Sequence, residues 1–332
     1  MPRRRADAIG LVESAYRLDL AERDWLAGLA AAAAPELDDG FGVIGLVSDL
    51  RDPADYRFGE PVFFGCPPEA ASLIGPSIAR LPPEVLIGTF GAPDALATAS
   101  QLLTPPLERD YVFAPHLGVR DVLAFKSADP TGLAVHLGAP QRGRRAVRPA
   151  VEARWARLAA HVAAALRLRR ALGSRDAFGG EAVLDPDGAC AHAEGPARGR
   201  SAREALREAV LGTERARGRL RRTSPQAALR LWRALFAGRW SLVEQFDRDG
   251  RRFLIAHKND PDVRDPRALS PRERQVAAFA ALGHPQKLVA YELGLEPPTV
   301  AGHLRTAMSK LGARTRADLS RLLAGPRIAP KK

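Results

Sequence analysis

Leu269-Ser-Pro-Arg-Glu-Arg-Gln-Val276, then Gly283, Lys287-Leu-Val-Ala290, Leu293-Gly-Leu295, Thr299-Val300, His303-Leu304 and Lys310-Leu-Gly312, is the stretch whose reading decides the fold of this chain. Ser270, Pro271 and Glu273 combine an N-cap serine, a proline at the first helical position and a glutamate at the third, which is a capping box. Val276, Phe279 and Ala280 give the helix that follows an apolar face, and Gly283 is its stop signal. A second helix is expected from about Gln286 to Leu293, with Val289, Ala290 and Leu293 inward and Gly294 at its end. A third is expected from about Pro297 to Leu311, ended by Gly312, and Thr315-Arg-Ala-Asp318 has the pattern of a second capping box opening a fourth through Leu323. Short helices with a tight glycine-containing connection form a helix-turn-helix.

The third helix divides cleanly by spacing. Val300, Leu304, Ala307, Met308 and Leu311 repeat at helical intervals and must face the other helices. The opposite stripe is Ala301, Gly302, Arg305 and Ser309, the face free to enter a major groove. Arg305 is the one residue of that stripe able to donate a bidentate pair to a guanine edge. Thr299, His303, Thr306 and Lys310 flank it, within reach of phosphate oxygens. The plain alternative for each polar residue is a solvated helix face.

These residues, with Arg314-Thr-Arg-Ala317 after them, resemble the LuxR-type (GerE-like) DNA-binding domain over some 55 residues without a gap. The resemblance implies base readers at Ala301, Gly302 and Arg305 and a backbone contact from Lys287. It also implies double-stranded DNA as partner, a contact with RNA polymerase, and a homodimer paired through the fourth helix at Leu319, Leu322 and Leu323. Burial of those leucines within the domain is an equal reading. The chain departs from the family in carrying Ala301-Gly302 where relatives have larger residues, Pro285 where a small polar cap is usual, and Leu288 where glutamate is typical.

Charge agrees with a nucleic-acid partner, after a discount. The chain carries a net +12, but only six of its 50 basic residues are lysine, and so much arginine beside so much alanine, glycine and proline looks like the product of a GC-rich genome. Residues 261–332 hold 13 Lys+Arg against 6 Asp+Glu, a local net of +7.

Upstream, two further blocks are expected, which makes the whole an α+β chain: residues 1–174, residues 175–260, and an all-α four-helix domain over 261–332 after a proline-punctuated joint at Lys258–Arg267. The first block opens with two amphipathic helices, then strands at Phe41–Val47 and Val62–Phe64, helices around Ala70–Leu81 and Asp94–Leu103, and a hairpin at Val122–Phe125 and Leu133–Leu137 about the turn Asp129-Pro-Thr-Gly132. A helix over Pro149–Leu172 closes it, with Val151, Trp155, Leu158, Val162 and Leu166 in one stripe. The order resembles a GAF domain, which implies sensing of a small molecule or partner. The second block places basic helices near Ala202–Leu220 and Pro225–Phe236 between hairpins at Ala182–Ala193 and Trp240–Ala256, and resembles a small PAS-like module. One larger α+β domain without ligand remains the alternative, as does a front region that binds only a protein partner.

Other classes find little support. Two cysteines, Cys66 and Cys190, make neither a disulfide framework nor a metal-ligand pattern. No Walker loop, HExxH, Gly-x-Ser-x-Gly elbow or paired histidine ligands occur, so neither an enzyme nor a cofactor is expected. No run reaches the roughly 18 apolar residues of a membrane span, and no apolar segment follows the basic Met1–Arg5, so the expectation is a cytoplasmic protein without a membrane partner. The effector, small molecule or protein, is not named by any residue.

Overall fold

The computed structural model describes residues 5–50, 56–68, 81–92, 94–111, 118–173, 180–261 and 269–323. The chain divides into two compact units, Met1–Ala128 with Gly132–Leu166, and Asp129–Thr131 with Arg167–Lys332.

The first unit is built on an antiparallel sheet. Its strands are β1 (Val43–Asp49), β2 (Arg57–Phe58), β3 (Val62–Phe64), β4 (Leu96–Thr98), β5 (Asp121–Ala128) and β6 (Leu133–Gln141), in the order β2-β1-β6-β5-β4 with β3 also on β1. The helices are α1 (Ala8–Ala15), α2 (Glu22–Leu37), α3 (Pro83–Thr89), α4 (Ala99–Leu102), α5 (Pro105–Tyr111) and α6 (Pro149–Leu172). Alternation in β5 puts Leu123, Phe125 and Ser127 on one face, where Phe125 meets the Trp155 ring of α6 at 5.1 Å and the Ser127 hydroxyl donates to the Ala159 carbonyl at 2.7 Å. Trp25 of α2 donates its ring N–H to the Ala15 carbonyl at 2.8 Å, which seats α1 on α2. The β5–β6 hairpin and α6 stand as the spacing predicts.

Two expectations for this unit change. The segment from Asp94 to Leu103 is not a helix throughout: Leu96–Thr98 pairs with β5, and only then does the chain turn into the four-residue α4. The edge of β5 needed a partner for its backbone groups, and that need outweighs the helical preference of alanine. The helix expected at Ala70–Leu81 falls almost wholly outside the described residues.

The second unit holds another antiparallel sheet, β7 (Ala182–Leu184), β8 (Cys190–Ala193), β9 (Trp240–Phe246) and β10 (Arg252–Lys258), in the order β8-β7-β10-β9. Helix α7 (Arg200–Arg217) lays Leu206, Ala209 and Val210 against Ala182, Leu184, Leu242, Leu254 and Ala256. Two short helices follow, α8 (Arg219–Thr223) and α9 (Pro225–Leu231), so the helix expected to Phe236 stops five residues early. The joint expected at Lys258–Arg267 is ordered and buried where it begins: the Asn259 side chain donates to the Ser241 hydroxyl at 2.8 Å and its N–H bonds the Arg239 carbonyl at 2.7 Å. Residues 262–268 lie outside the described residues. Beyond them come α10 (Pro271–Ala281), α11 (Gln286–Leu293), α12 (Pro297–Leu311) and α13 (Arg316–Leu323).

Candidate DNA-binding site

The four carboxy-terminal helices share one core of Leu269, Val276, Ala277, Phe279, Ala280, Val289, Ala290, Leu293, Val300, Leu304, Ala307, Ala313 and Leu319. The capping box of α10 is formed in both directions: the Glu273 amide donates to the Ser270 hydroxyl at 3.3 Å, and the Ser270 amide donates to the Glu273 carboxylate at 2.8 Å. A second is formed at α13, where the Asp318 amide donates to the Thr315 hydroxyl at 3.1 Å and the Thr315 amide to the Asp318 carboxylate at 2.8 Å. The turn between α11 and α12 passes through Gly294 at φ +63°. A Cβ at that position would lie 2.1 Å from the Leu235 carbonyl oxygen, so both conformation and space require glycine there.

Helix α12 is amphipathic as its spacing predicts. Val300, Leu304 and Ala307 are buried, while Arg305, Thr306 and Ser309 are exposed and Ala301, Gly302 and His303 half-buried. A Cβ on Gly302 would meet nothing within 4 Å. Thr299 is exposed beside the helix start, and Lys287 is exposed at the start of α11. The Thr306 hydroxyl donates back to the Gly302 carbonyl at 3.1 Å. Lys310 has a partner of its own: its ammonium sits 2.8 Å from the Glu273 carboxylate, with the side chain 42% exposed. The outward residues Arg305, Thr306 and Ser309 thus share one surface, and Lys310 is tied to α10 at its far end.

The three leucines of α13 separate. Leu319 is fully buried in the domain core, Leu323 packs at its edge, and Leu322 is exposed. Only Leu322 presents a large apolar side chain outward.

Sequence reading missed how these helices are joined to the sheet upstream within the second unit. Leu235 belongs to the core of the carboxy-terminal helices. The Tyr291 hydroxyl donates to the Leu229 carbonyl at 2.6 Å and reaches the Trp232 carbonyl at 3.1 Å, closing the open end of α9. The Arg272 guanidinium donates to the carbonyls of Ala237 at 3.0 Å and Gly238 at 3.1 Å, and to Gln275 at 2.7 Å. Burial pulls its pKa below the ordinary arginine value. Ala237 is held there at φ +49°, a strained conformation for a residue with a Cβ. Tyr291 and Arg272 carried no signal in the sequence beyond their chemistry: a buried tyrosine needs a partner for its hydroxyl.

Among the described residues, no helix is long and apolar enough to cross a membrane, and no group of three or more His, Cys, Asp or Glu is placed to hold a metal ion. Cys66 and Cys190 are both free thiols.

Comparison with known proteins bears on this same region. Residues 267–323 match the family described as bacterial regulatory proteins, luxR family. The transcriptional regulatory protein FixJ of Rhizobium meliloti is 36% identical over 89 residues, 25% of this chain and 44% of that protein. The HTH-type transcriptional activator RamA of Corynebacterium glutamicum is 44% identical over 56 residues, 17% of this chain and 20% of its own length. The transcriptional regulatory protein UhpA of Escherichia coli is 47% identical over 67 residues, 20% of this chain and 33% of that one. The chain therefore spans less than half the length of each of these relatives. Among solved structures, Escherichia coli SdiA aligns over 86% of this chain and 83% of its own at 12% identity, with a TM-score of 0.20. Formed capping boxes, an amphipathic third helix and a family match over the same residues agree: residues 267–323 are a helix-turn-helix domain of the LuxR family of bacterial regulatory proteins.

Proposed function

We propose that the chain is a cytoplasmic transcriptional regulator whose carboxy-terminal domain binds double-stranded DNA through α12. The observation that carries this reading is the division of that helix: Val300, Leu304 and Ala307 are committed to the core, while Arg305, Thr306 and Ser309 face outward together. Arg305 is the base reader, because only its fork of donors matches a guanine edge. Lys287, Thr299, His303 and Thr306 set position against phosphates, and Ala301 and Gly302 let the helix approach closely. Lys310, already bonded to Glu273, serves mainly to hold α12 in place. Leu322 supplies the apolar contact of a two-fold pair, with Leu323 at its margin.

The front of the chain is read as the sensory part. Its first sheet, in the order β2-β1-β6-β5-β4 and backed by α1, α2 and α6, supports the GAF-like reading, and the sheet β8-β7-β10-β9 with α7 across it supports the PAS-like one.

Fluorescence anisotropy on the full chain tests the proposal, using DNA from upstream of its own gene and a random duplex over a range of salt. The wild type is expected to prefer one site, and Arg305→Ala to lose about 1–3 kcal/mol of that preference while keeping most of its salt dependence. Binding that is blind to sequence in the wild type and unchanged in Arg305→Ala overturns it.

A further inference from the structure

On one face of the first sheet, Lys126 of β5 stands among the smallest side chains available. Its neighbours along the strand on that face are Ala124 and Ala128, and across on β6 it sits opposite His136, between Ala134 and Gly138. On its other side Ala97 of β4 lies opposite Ala124, and the Lys126 amide donates to the Ala95 carbonyl at 2.9 Å. A long cationic side chain on a floor of alanine and glycine leaves space beside it. Gly138 shows that space: a Cβ there would meet only Val122 Cγ1, at an ordinary 3.8 Å.

The rim is polar on one side and aromatic on the other. His136 Nε2 lies 2.7 Å from the Ser48 hydroxyl, and the Phe90 ring meets the imidazole edge-on at 4.7 Å and Phe58 at 4.9 Å. Burial, with Lys126 adding to it, pulls the His136 pKa down to about 3, so the imidazole is neutral. Burial pulls Lys126 down to about 8, opposed by the exposed Asp94, so the amine is still largely protonated at neutral pH. No carboxylate among the described residues forms an ion pair with it. An ammonium withdrawn from water without an anion is costly, and a ligand carrying that anion removes the cost.

We propose that this face binds a small organic acid, with the carboxylate on the Lys126 ammonium and an apolar body lying over Ala124 and Gly138 beside the His136 and Phe90 rings. The inference rests on the sensory reading of the front unit and gives it a class of effector. One lysine amine, a compact point charge, matches one carboxylate. The alanine floor and phenyl rim match an apolar body and offer no donor for a sugar or a base.

Calorimetric titration of the full-length protein with benzoate, octanoate and the neutral control benzamide tests it. At least one of the two acids is expected to bind about tenfold or more tightly than benzamide, with an affinity that falls as pH rises through about 8. Lys126→Gln is expected to erase that preference. Gly138→Val, which fills the floor without touching the charge, is expected to exclude the acid while leaving Lys126 in place. The inference is overturned if neither acid binds better than benzamide, if Lys126→Gln binds as the wild type does, or if affinity is flat across that pH range. DNA binding measured on the same preparations separates the two readings. Site-specific DNA binding without acid binding overturns this inference alone. Acid binding in a protein blind to DNA sequence overturns the regulator and leaves the acid site standing.

Discussion

The Lys310 ammonium lies 2.8 Å from the Glu273 carboxylate, across 37 residues of chain, and the same carboxylate accepts the Ser270 amide. One glutamate therefore closes the capping box of α10 and pins the far end of the recognition helix. Lys310 first, and then the Ser270 amide, hold the Glu273 carboxyl below its ordinary value. A depressed carboxylate stabilises the fold above its unfolded pKa and stops doing so as pH falls through its folded one. In Lys310→Gln the Glu273 pKa is expected to move back up in an NMR titration, with a lower Tm at neutral pH and a flatter loss of stability in acid. An unmoved Glu273 would show that the pair does not form in solution.

Tyr291→Phe keeps the ring and removes one hydroxyl. Its two acceptors, the carbonyls of Leu229 and Trp232, are then left at the buried end of α9. The expected cost is about 1–3 kcal/mol in denaturant unfolding. Hydrogen exchange is expected to accelerate in both α9 and α11, since the bond joins them.

The glycines of the helix-turn-helix make opposite predictions. Gly302 lies inside α12 with open space where a Cβ would stand, so Gly302→Ala is expected to stabilise by about 1 kcal/mol. Gly294→Ala puts a methyl into the Leu235 carbonyl at a left-handed position and is expected to unfold or detach the domain. Tm reads both. DNA affinity of the first variant then reports whether the helix backbone comes close to the duplex.

His257 is buried, and neither ring nitrogen has a hydrogen-bond partner among the described residues. Burial pulls its pKa from 6.5 to about 4, and that of His136 to about 3. Folded-state values below the unfolded one mean that the folded chain binds fewer protons. The contribution is complete above about 6.5 and is lost progressively as pH falls toward the folded values. At about 1.4 kcal/mol per unit of pKa, His257 accounts for about 2–3 kcal/mol of acid destabilisation. His257→Leu is expected to raise stability at neutral pH and to remove that share of the acid slope, read from urea midpoints across the pH range.

The parts legible in the sequence were those with local causes. Ser270 and Glu273, or Asp129-Pro-Thr-Gly132, specify their structures within four residues, and α6 announces itself by one unbroken stripe. The outward face of α12 was legible for the same reason. What was not legible depended on partners far along the chain. Leu96–Thr98 is a strand because β5 lies beside it. Leu319 is core, not seam, because the other three helices enclose it, and Lys310 faces Glu273 only once α10 and α12 have packed.

Leu235 has a consequence for how such a protein can be taken apart. It lies upstream of the joint at residues 259–268, yet its side chain fills the core of the carboxy-terminal helices. A chimaera spliced at that joint would inherit a helix-turn-helix with an empty socket, and a front half with an orphaned plug. The unit that can be exchanged between proteins, by recombination or by design, is the family domain together with the strap from Leu229 to Gly238 that Tyr291 and Arg272 hold. Inheritance in this chain follows the packing and not the gap in the sequence.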